Sequence, residues 1–439
     1  MKKFIQTIKN IFSIEELRVR ILNTIGFLII FRLGSFVVLP GVDPSQLTQD
    51  AGGIFGLLNT FLGGAFSRAS VFGLGIMPYI SASIVLQLMT VAVPYFQKLQ
   101  KEGDSGRKKI NQITRVLTIF ICLAQSIGYL TATIPAEAII LENQVLFQVS
   151  SMVILTAGTI FCMWLGEKIT DKGIGNGISM LIMIGIISRF PGSIVAEAMS
   201  RGMSQALILI LELVALFLVV MATVALVQAV RRIPVQYAKQ VVGNKVYGGQ
   251  RQYIPLKVNS SGVMPIIFAQ SLMFLPALLA GIWSEESDIA QYIGTTFSDI
   301  QSWQYNLLFA VLIILFTFFY TAITINPNQI ADDMKRNGGF VPGIKPGKQT
   351  AEFIDTVLTR ITLPGSVFLA VIAILPAFAM MAGVSTGFAQ FYGGTSLLIM
   401  VGVILDTLQQ IESYLLMRHY EGMMKSGRVK GRTQNTAVA

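Results

Sequence analysis

Apolar runs of about 20 residues recur along the whole chain, and each is long enough to cross the ~30 Å hydrocarbon of a bilayer as a helix. They lie at about 21–40, 72–93, 113–134, 146–166, 175–190, 206–230, 258–283, 306–325, 363–384 and 393–413. In lipid every backbone polar group must be satisfied internally, which leaves helices or closed barrels. No segment sustains the period-two alternation that a barrel strand needs. Charged residues make up only 13% of the chain and hydrophobic ones 53%, about half the charge of a soluble domain. The expected fold class is therefore an all-α polytopic membrane protein with ten transmembrane helices.

Short loops rich in Lys and Arg stay on the cytoplasmic side. With an inside N-terminus, all of the 33 Lys and Arg except Arg32, Arg68, Arg189 and Arg201 fall on inward-facing segments. Both termini are then cytoplasmic. "FIQTIKNIFSIEELRVRIL" carries apolar residues at helical spacing and no small-residue cleavage site, so residues 1–20 read as an amphipathic helix on the inner surface rather than a signal peptide. Cys122 and Cys162 lie inside predicted spans, and no disulfide framework is indicated.

The chain also repeats itself. "GIMPYI" (75–80) opens the second span and "GVMPII" (262–267) the seventh; "GISMLIMIGII" (177–187) begins the fifth and "GTSLLIMVGVI" (394–404) the tenth. Both matches are five spans apart. Because five is odd, the second copy is upside down relative to the first, giving two inverted, pseudo-symmetric five-helix halves whose working site lies where they meet. The alignment pairs Ile80 with Ile267 and Ile182 with Ile399. Each is seven or eight residues into its span, roughly 10–12 Å down a helix, near the bilayer midplane. Singly, a membrane isoleucine faces lipid or packs; the symmetry brings these four together.

Ionisable residues are sparse in the spans. Only Glu212 and Asp406 lie well inside, with Glu167, Asp171 and Glu412 near span ends. A secondary solute transporter, the alternative function for an inverted repeat, would present charged groups at the midplane; Asp406 reads instead as helix pairing or a water-lined face. The lone histidine, His419, is in the tail, and no H-E-x-x-H pattern is present, so a zinc protease is not indicated. "GIGNGIS" (173–179) imitates a nucleotide-binding glycine run but has no strand before it. The chain is expected not to be an enzyme, with no catalytic residue, cofactor or metal. An apolar ring in a pore works by packing and dewetting, which suits a substrate of no fixed chemistry.

"RLGSFVVLPGVD", "GIMPYISASI", "KEGDSGRKKI", "MWLGEKITDKGIGNGIS", "RRIPVQYAK", "PLKVNSSGVMP", "FVPGIKPGKQT" and "YGGTSLLIM" resemble, in order and spacing, the SecY family over about residues 14–425. The resemblance implies an hourglass pore between the halves, hinged on one side and opening laterally to lipid on the other. Its pore ring maps onto Ile76, Ile80, Ile178, Ile182, Ile267 and Ile399. The glycine-rich segment 52–70 would be a plug, a short helix held only by apolar contacts with the ring, with Phe55, Leu58, Asn59, Phe61, Leu62, Gly63, Gly64 and Arg68 as its marked residues. The lateral gate would involve Ser81, Gln87, Thr114, Asn259 and Leu275, with Gln87, Thr114 and Asn259 forming a polar cluster. Cytoplasmic loops 231–258 and 326–362 would dock a ribosome or the SecA ATPase through Lys239, Lys245, Arg251, Lys345 and Lys348. Lys345 stands where many relatives carry arginine, and Asn244 precedes Lys245 where paired arginines are common.

The resemblance further implies the small subunits SecE and SecG, secretory preproteins with their signal sequences, SecDF, YidC and membrane lipid as partners, in a bacterial cytoplasmic (inner) membrane. The expected organisation is a surface helix at 1–20, an N-terminal half at 21–200, a C-terminal half at 201–414 and a cytoplasmic tail at 415–439. The absence of a transit peptide favours a bacterial over a plastid source.

Overall fold

The computed structural model describes residues 12–47, 59, 62–141, 143–202, 205–237, 240–242, 245–247, 251–270, 272–273, 296, 299 and 301–425, with backbone alone at 101, 132, 136, 240–242, 245–247, 251 and 418–425. The helices are α1 (Glu15–Gly34), α2 (Met77–Ala92), α3 (Pro94–Lys101), α4 (Asp104–Thr133), α5 (Gln144–Lys172), α6 (Gly177–Arg201) and α7 (Ala206–Gln228). They continue with α8 (Trp303–Thr324), α9 (Pro327–Arg336), α10 (Lys348–Met381), α11 (Thr386–Ala389) and α12 (Gly394–Lys425). A further helical stretch occupies 264–270.

Seven described helices are long and apolar enough to cross a membrane, or eight if the bent pair α2 and α3, turned by 101° at Val93 and Pro94, counts as one span. Of the ten expected spans, α1 carries Arg18, Arg20 and Arg32 among its apolar residues, and the seventh runs from 258 into the undescribed 274–283. The protein is thus a mostly helical, multi-pass membrane protein. α1 begins at Glu15 and continues unbroken to Gly34, so residues 15–20 run directly into the helix that covers the expected first span, with a bend at Ile14 before it; residues 1–11 lie outside the described residues.

Local sequence sets the helix starts. Asn143, Asn176, Ser302 and Asn326 stand just before α5, α6, α8 and α9, and each side chain accepts from a first-turn amide, satisfying donors that a helix start leaves unpaired. Within the helices, hydroxyls return to their own backbone: Thr118 to Thr114, Thr317 to Ile313 and Thr362 to Leu358, each at 2.7 Å. That satisfies a hydroxyl in lipid without any neighbour.

Two segments expected as long loops carry regular structure. Over 231–258 the chain forms β1 (Val230–Tyr237), β2 (Gln240–Val242), β3 (Lys245–Tyr247) and β4 (Arg251–Lys257). β1 pairs antiparallel with β4 from Val230↔Lys257 to Gln236↔Arg251, and on its other edge with β5 (Gly339–Phe340). Ile233, Val235 and Leu256 point into a small core with Met334, Val341, Ile354 and Leu358, so β-branched residues on one face drive the ribbon. The expected loop 326–362 is largely α9 and the first turns of α10, which runs on through Pro364 and Pro376.

Candidate functional site

All six isoleucines of the expected ring share one apolar core. Ile76, Ile80 and Ile399 are buried in it, and Ile178, Ile182 and Ile267 pack against it partly buried. They arrive from the foot of α2, the first turns of α6, the 264–270 helix and α12. Leu62 lines a cavity of about 10 Å³ with Ile76, Ile80, Ile182, Phe31, Met77 and Leu181, all apolar side chains. That volume is at the threshold for one water molecule, and such a lining gives it no partner.

Of the expected plug, Asn59 is helical, and the stretch that carries Leu62 is not. Residues 62–69 are a run of turns, because Gly63 and Gly64 take φ of +62° and +86°, a left-handed backbone that breaks a helix. Nor is it held by apolar contacts alone. The Gly63 carbonyl accepts from Arg32 Nη1 and from Arg68 Nη2, both at 2.9 Å. Arg68 Nε adds a bond to the Gly64 carbonyl at 3.0 Å, and the Asn59 side chain accepts from the Ser67 amide. Leu39 N donates to the Ala69 carbonyl and Val71 N to that of Val37, each at 2.8 Å. Arg68, costly if exposed to lipid, instead lies half-buried over the Phe36 ring at 4.4 Å. Phe55, Leu58 and Phe61 lie outside the described residues.

Among the described residues, the hydrogen bonds of the expected polar cluster run to other partners than one another. Gln87 Oε1 accepts instead from Tyr320 Oη of α8 at 3.0 Å, a bond that joins α2 to α8. Thr114 donates to Ile110 of its own helix, Ser81 to Met77, and Asn259 accepts from neighbouring Ser261. Short hydroxyl side chains find a carbonyl one turn away sooner than they reach a neighbour. Tyr320 was missed; it is a phenol in a predicted span, an amphipathic side chain that needs a partner when buried. Leu275 lies outside the described residues.

With this geometry in hand, the comparisons are specific. The family model described as SecY matches residues 70–408. A relative from Streptomyces coelicolor, "Protein translocase subunit SecY", is 44% identical over 431 residues, covering 94% of this chain and 98% of its own. The chain belongs to the SecY family. Among solved structures, "The structure of a protein conducting channel" superposes with a TM-score of 0.63 at 16% identity, covering 90% of this chain and 92% of that one. A second, "The plug domain of the SecY protein stablizes the closed state of the translocation channel and maintains a membrane seal", gives a TM-score of 0.62 at 17% identity and the same coverages.

Two features of this SecY-family chain were not anticipated from sequence. At the junction of α6 and α7, Arg201 bridges Glu197 (3.0 Å) and Glu212 (2.6 Å), and both carboxylates are almost fully buried. The same arginine donates to the Gly383 carbonyl, Glu197 accepts from the Ser385 amide, and Tyr392 Oη donates to the Glu212 carbonyl. The network ties α6 and α7 to the segment before α12. Arg201 stood out in sequence as a basic residue off the inward-facing segments and Glu212 as an acid inside a span, but their pairing did not; four residues of spacing between Glu197 and Arg201 was the available signal. At the opposite end of α6, the glycine run resolves into a tight turn. Gly177 sits so close to the Gly166 carbonyl of α5 that a side chain could not fit, Asn176 caps α6, and the Gly175 amide donates to Gln410 of α12 at 2.8 Å. Arg20 lies over the Tyr414 ring beside it.

Of the expected docking residues, Lys345 is exposed, and its carbonyl accepts from Thr350 Oγ1 at 2.9 Å, fixing the approach to α10. Lys348 opens α10 and faces Glu352 at 4.0 Å. Lys245 and Arg251 belong to β3 and β4 by backbone; Lys239 lies outside the described residues.

Proposed function

We propose that this chain is the pore subunit of a Sec translocon, a protein-conducting channel that passes unfolded secretory proteins outward and releases hydrophobic segments sideways into lipid. The observation that carries the reading is that the six isoleucines share one apolar core, in which Ile76, Ile80 and Ile182 line a small cavity with Leu62. A ring of branched aliphatic side chains excludes water while offering no specific bond. A translocating chain of any sequence can therefore pass it.

On this reading residues 62–70, with the rest of 52–70, form a plug at rest in the mouth of the ring, in the manner of the structural neighbour whose plug domain stabilises the closed state of its channel. The lateral gate is where spans two and seven meet three and eight, with Ser81, Gln87, Thr114, Asn259 and Leu275 as its residues, and the Gln87–Tyr320 bond between α2 and α8 supports that reading. The two halves meet near residue 200, where α6 ends at Arg201. Both termini and the basic loops face the cytoplasm of a bacterial inner membrane. Lys239, Lys245, Arg251, Lys345 and Lys348 would meet the polyanionic ribosome or SecA, with SecE and SecG as fellow subunits and SecDF and YidC as further partners. A solute transporter has less support: Glu212 is held in an ion pair with Arg201, and Asp406 is exposed on α12.

The test is a photocrosslinking residue placed in turn at Ile80, Ile182, Ile267 and Ile399, with a secretory precursor stalled in the channel. Crosslinks from all four, and none from lipid-facing Phe120, are the expected result. Crosslinks absent from the isoleucines would end this reading.

A further inference from the structure

We infer that Tyr129 and Arg32, neither of which belongs to the plug segment, latch that segment shut by donating hydrogen bonds to two of its backbone carbonyls. The inference rests on the reading of residues 62–70 as plug. Tyr129, on α4, is buried, with its hydroxyl 2.8 Å from the Phe66 carbonyl. Its ring meets the Phe66 ring edge-on, with centroids 4.8 Å apart. Arg32, near the end of α1, donates to the Gly63 carbonyl at 2.9 Å while stacking over Phe36 at 4.8 Å.

The chemistry makes each bond conditional on the position of the segment. A buried phenol hydroxyl without a partner is costly, and among the described residues the Phe66 carbonyl is the partner that Tyr129 has. Moving the segment away therefore orphans the hydroxyl until water reaches it, and water reaches it when the pore is open. The bond resists small excursions and is replaced after a large one. That is how a latch differs from general packing, which weakens gradually with distance.

The Phe66 carbonyl is also where the turn is most constrained. It accepts from the Ala69 amide at 3.2 Å as well, and Ala69 is a fully buried non-glycine residue at φ +45°. A side-chain-bearing residue in that region is strained and persists only where its surroundings hold it. Tyr129 and the strained turn share one oxygen, so releasing the first loosens the second. Because both latches grip backbone oxygens, they act whatever side chains the plug carries.

The experiment uses full-length channels in native membrane vesicles, reading resting efflux of a small anion and export of a precursor with a defective signal sequence. Tyr129→Phe keeps the ring and removes only the hydroxyl; Arg32→Gln removes the guanidinium. Each should raise resting leak and defective-signal export by about two- to tenfold, the range of one lost hydrogen bond. Each is then repeated with residues 62–67 deleted, where both should add nothing. A deletion that leaks while neither substitution does would overturn the latch and leave the plug standing. Substitutions that add their effect on top of the deletion would overturn it too, since they would act elsewhere. A deletion that stays sealed would remove the plug reading itself, and the latch with it.

Discussion

Arg201 serves two carboxylates at once, and that sharing makes its neighbours unequal in what their loss would do. Removing the guanidinium leaves Glu197 and Glu212 both buried and unpaired, and breaking a buried pair from one side typically costs about 3–5 kcal/mol. Arg201→Gln is therefore expected to lower the thermal unfolding midpoint of the purified channel strongly. Glu212→Gln should cost much less, because Arg201 keeps Glu197 and the Glu212 Oε2 atom has no hydrogen-bond partner among the described residues. Comparable losses in the two variants would mean that the network stabilises through packing rather than charge. Lys345 presents the opposite situation: it is exposed, and its structural contribution is through its carbonyl. Lys345→Glu should leave unfolding unchanged while blocking SecA-dependent export, and normal export would remove this loop from the docking surface.

The seam between α2 and α8 is an element-scale feature, a helix pair joined by one neutral hydrogen bond between side chains. Such bonds in membranes average about 0.6 kcal/mol, close to thermal energy. Tyr320→Phe should therefore raise export of precursors with weak signal sequences by roughly threefold. An unchanged threshold would show that apolar packing alone, including Phe268 against Tyr320 at 5.0 Å, keeps the helices together. The β1–β4 ribbon is the other element that matters, because it turns a flexible basic loop into a stiff arm. Its sheet shares a core with α9 and the start of α10, so the two basic segments form one packed unit rather than two independent tethers.

Across the whole molecule, α6 is held to the second half at both ends. Glu197, Arg201 and Glu212 clasp one end, and the Gly175–Gln410 bond with Arg20 over Tyr414 clasps the other. Among the described residues, the α2–α8 side has one side-chain bond, that from Tyr320. Opening should follow the weaker side. Spin labels at Leu88 and Phe319, flanking the Gln87–Tyr320 contact, are expected to separate when a signal sequence engages. Labels at Lys172 and Glu412, flanking Gly175 and Gln410, should hold their distance. Equal widening at both pairs would mean that the halves part as rigid bodies without a fixed side.

What the amino-acid sequence determined by itself was whatever depends on one segment or on the repeat. Lipid forces an apolar run of about 20 residues to be helical wherever it packs, so the helical, multi-pass class was legible. The aligned motifs brought Ile80, Ile182, Ile267 and Ile399 to one core, because a repeat relates positions without any knowledge of contacts. Tertiary structure decided everything that needed a specific neighbour. Gln87 was visible as a polar residue in a span, but the helix that answers it could not be read, and Tyr320 of α8 lies 233 positions away. Thr114 and Asn259 look equally able to bridge helices, yet their reach is spent locally. Gly63 and Gly64 marked a flexible segment, whereas the two arginines and the tyrosine that hold it come from α1, from the segment itself and from α4. Burial and periodicity are properties of a stretch of chain; a hydrogen bond across helices is a property of two stretches, and only folding brings them within 3 Å or so of one another.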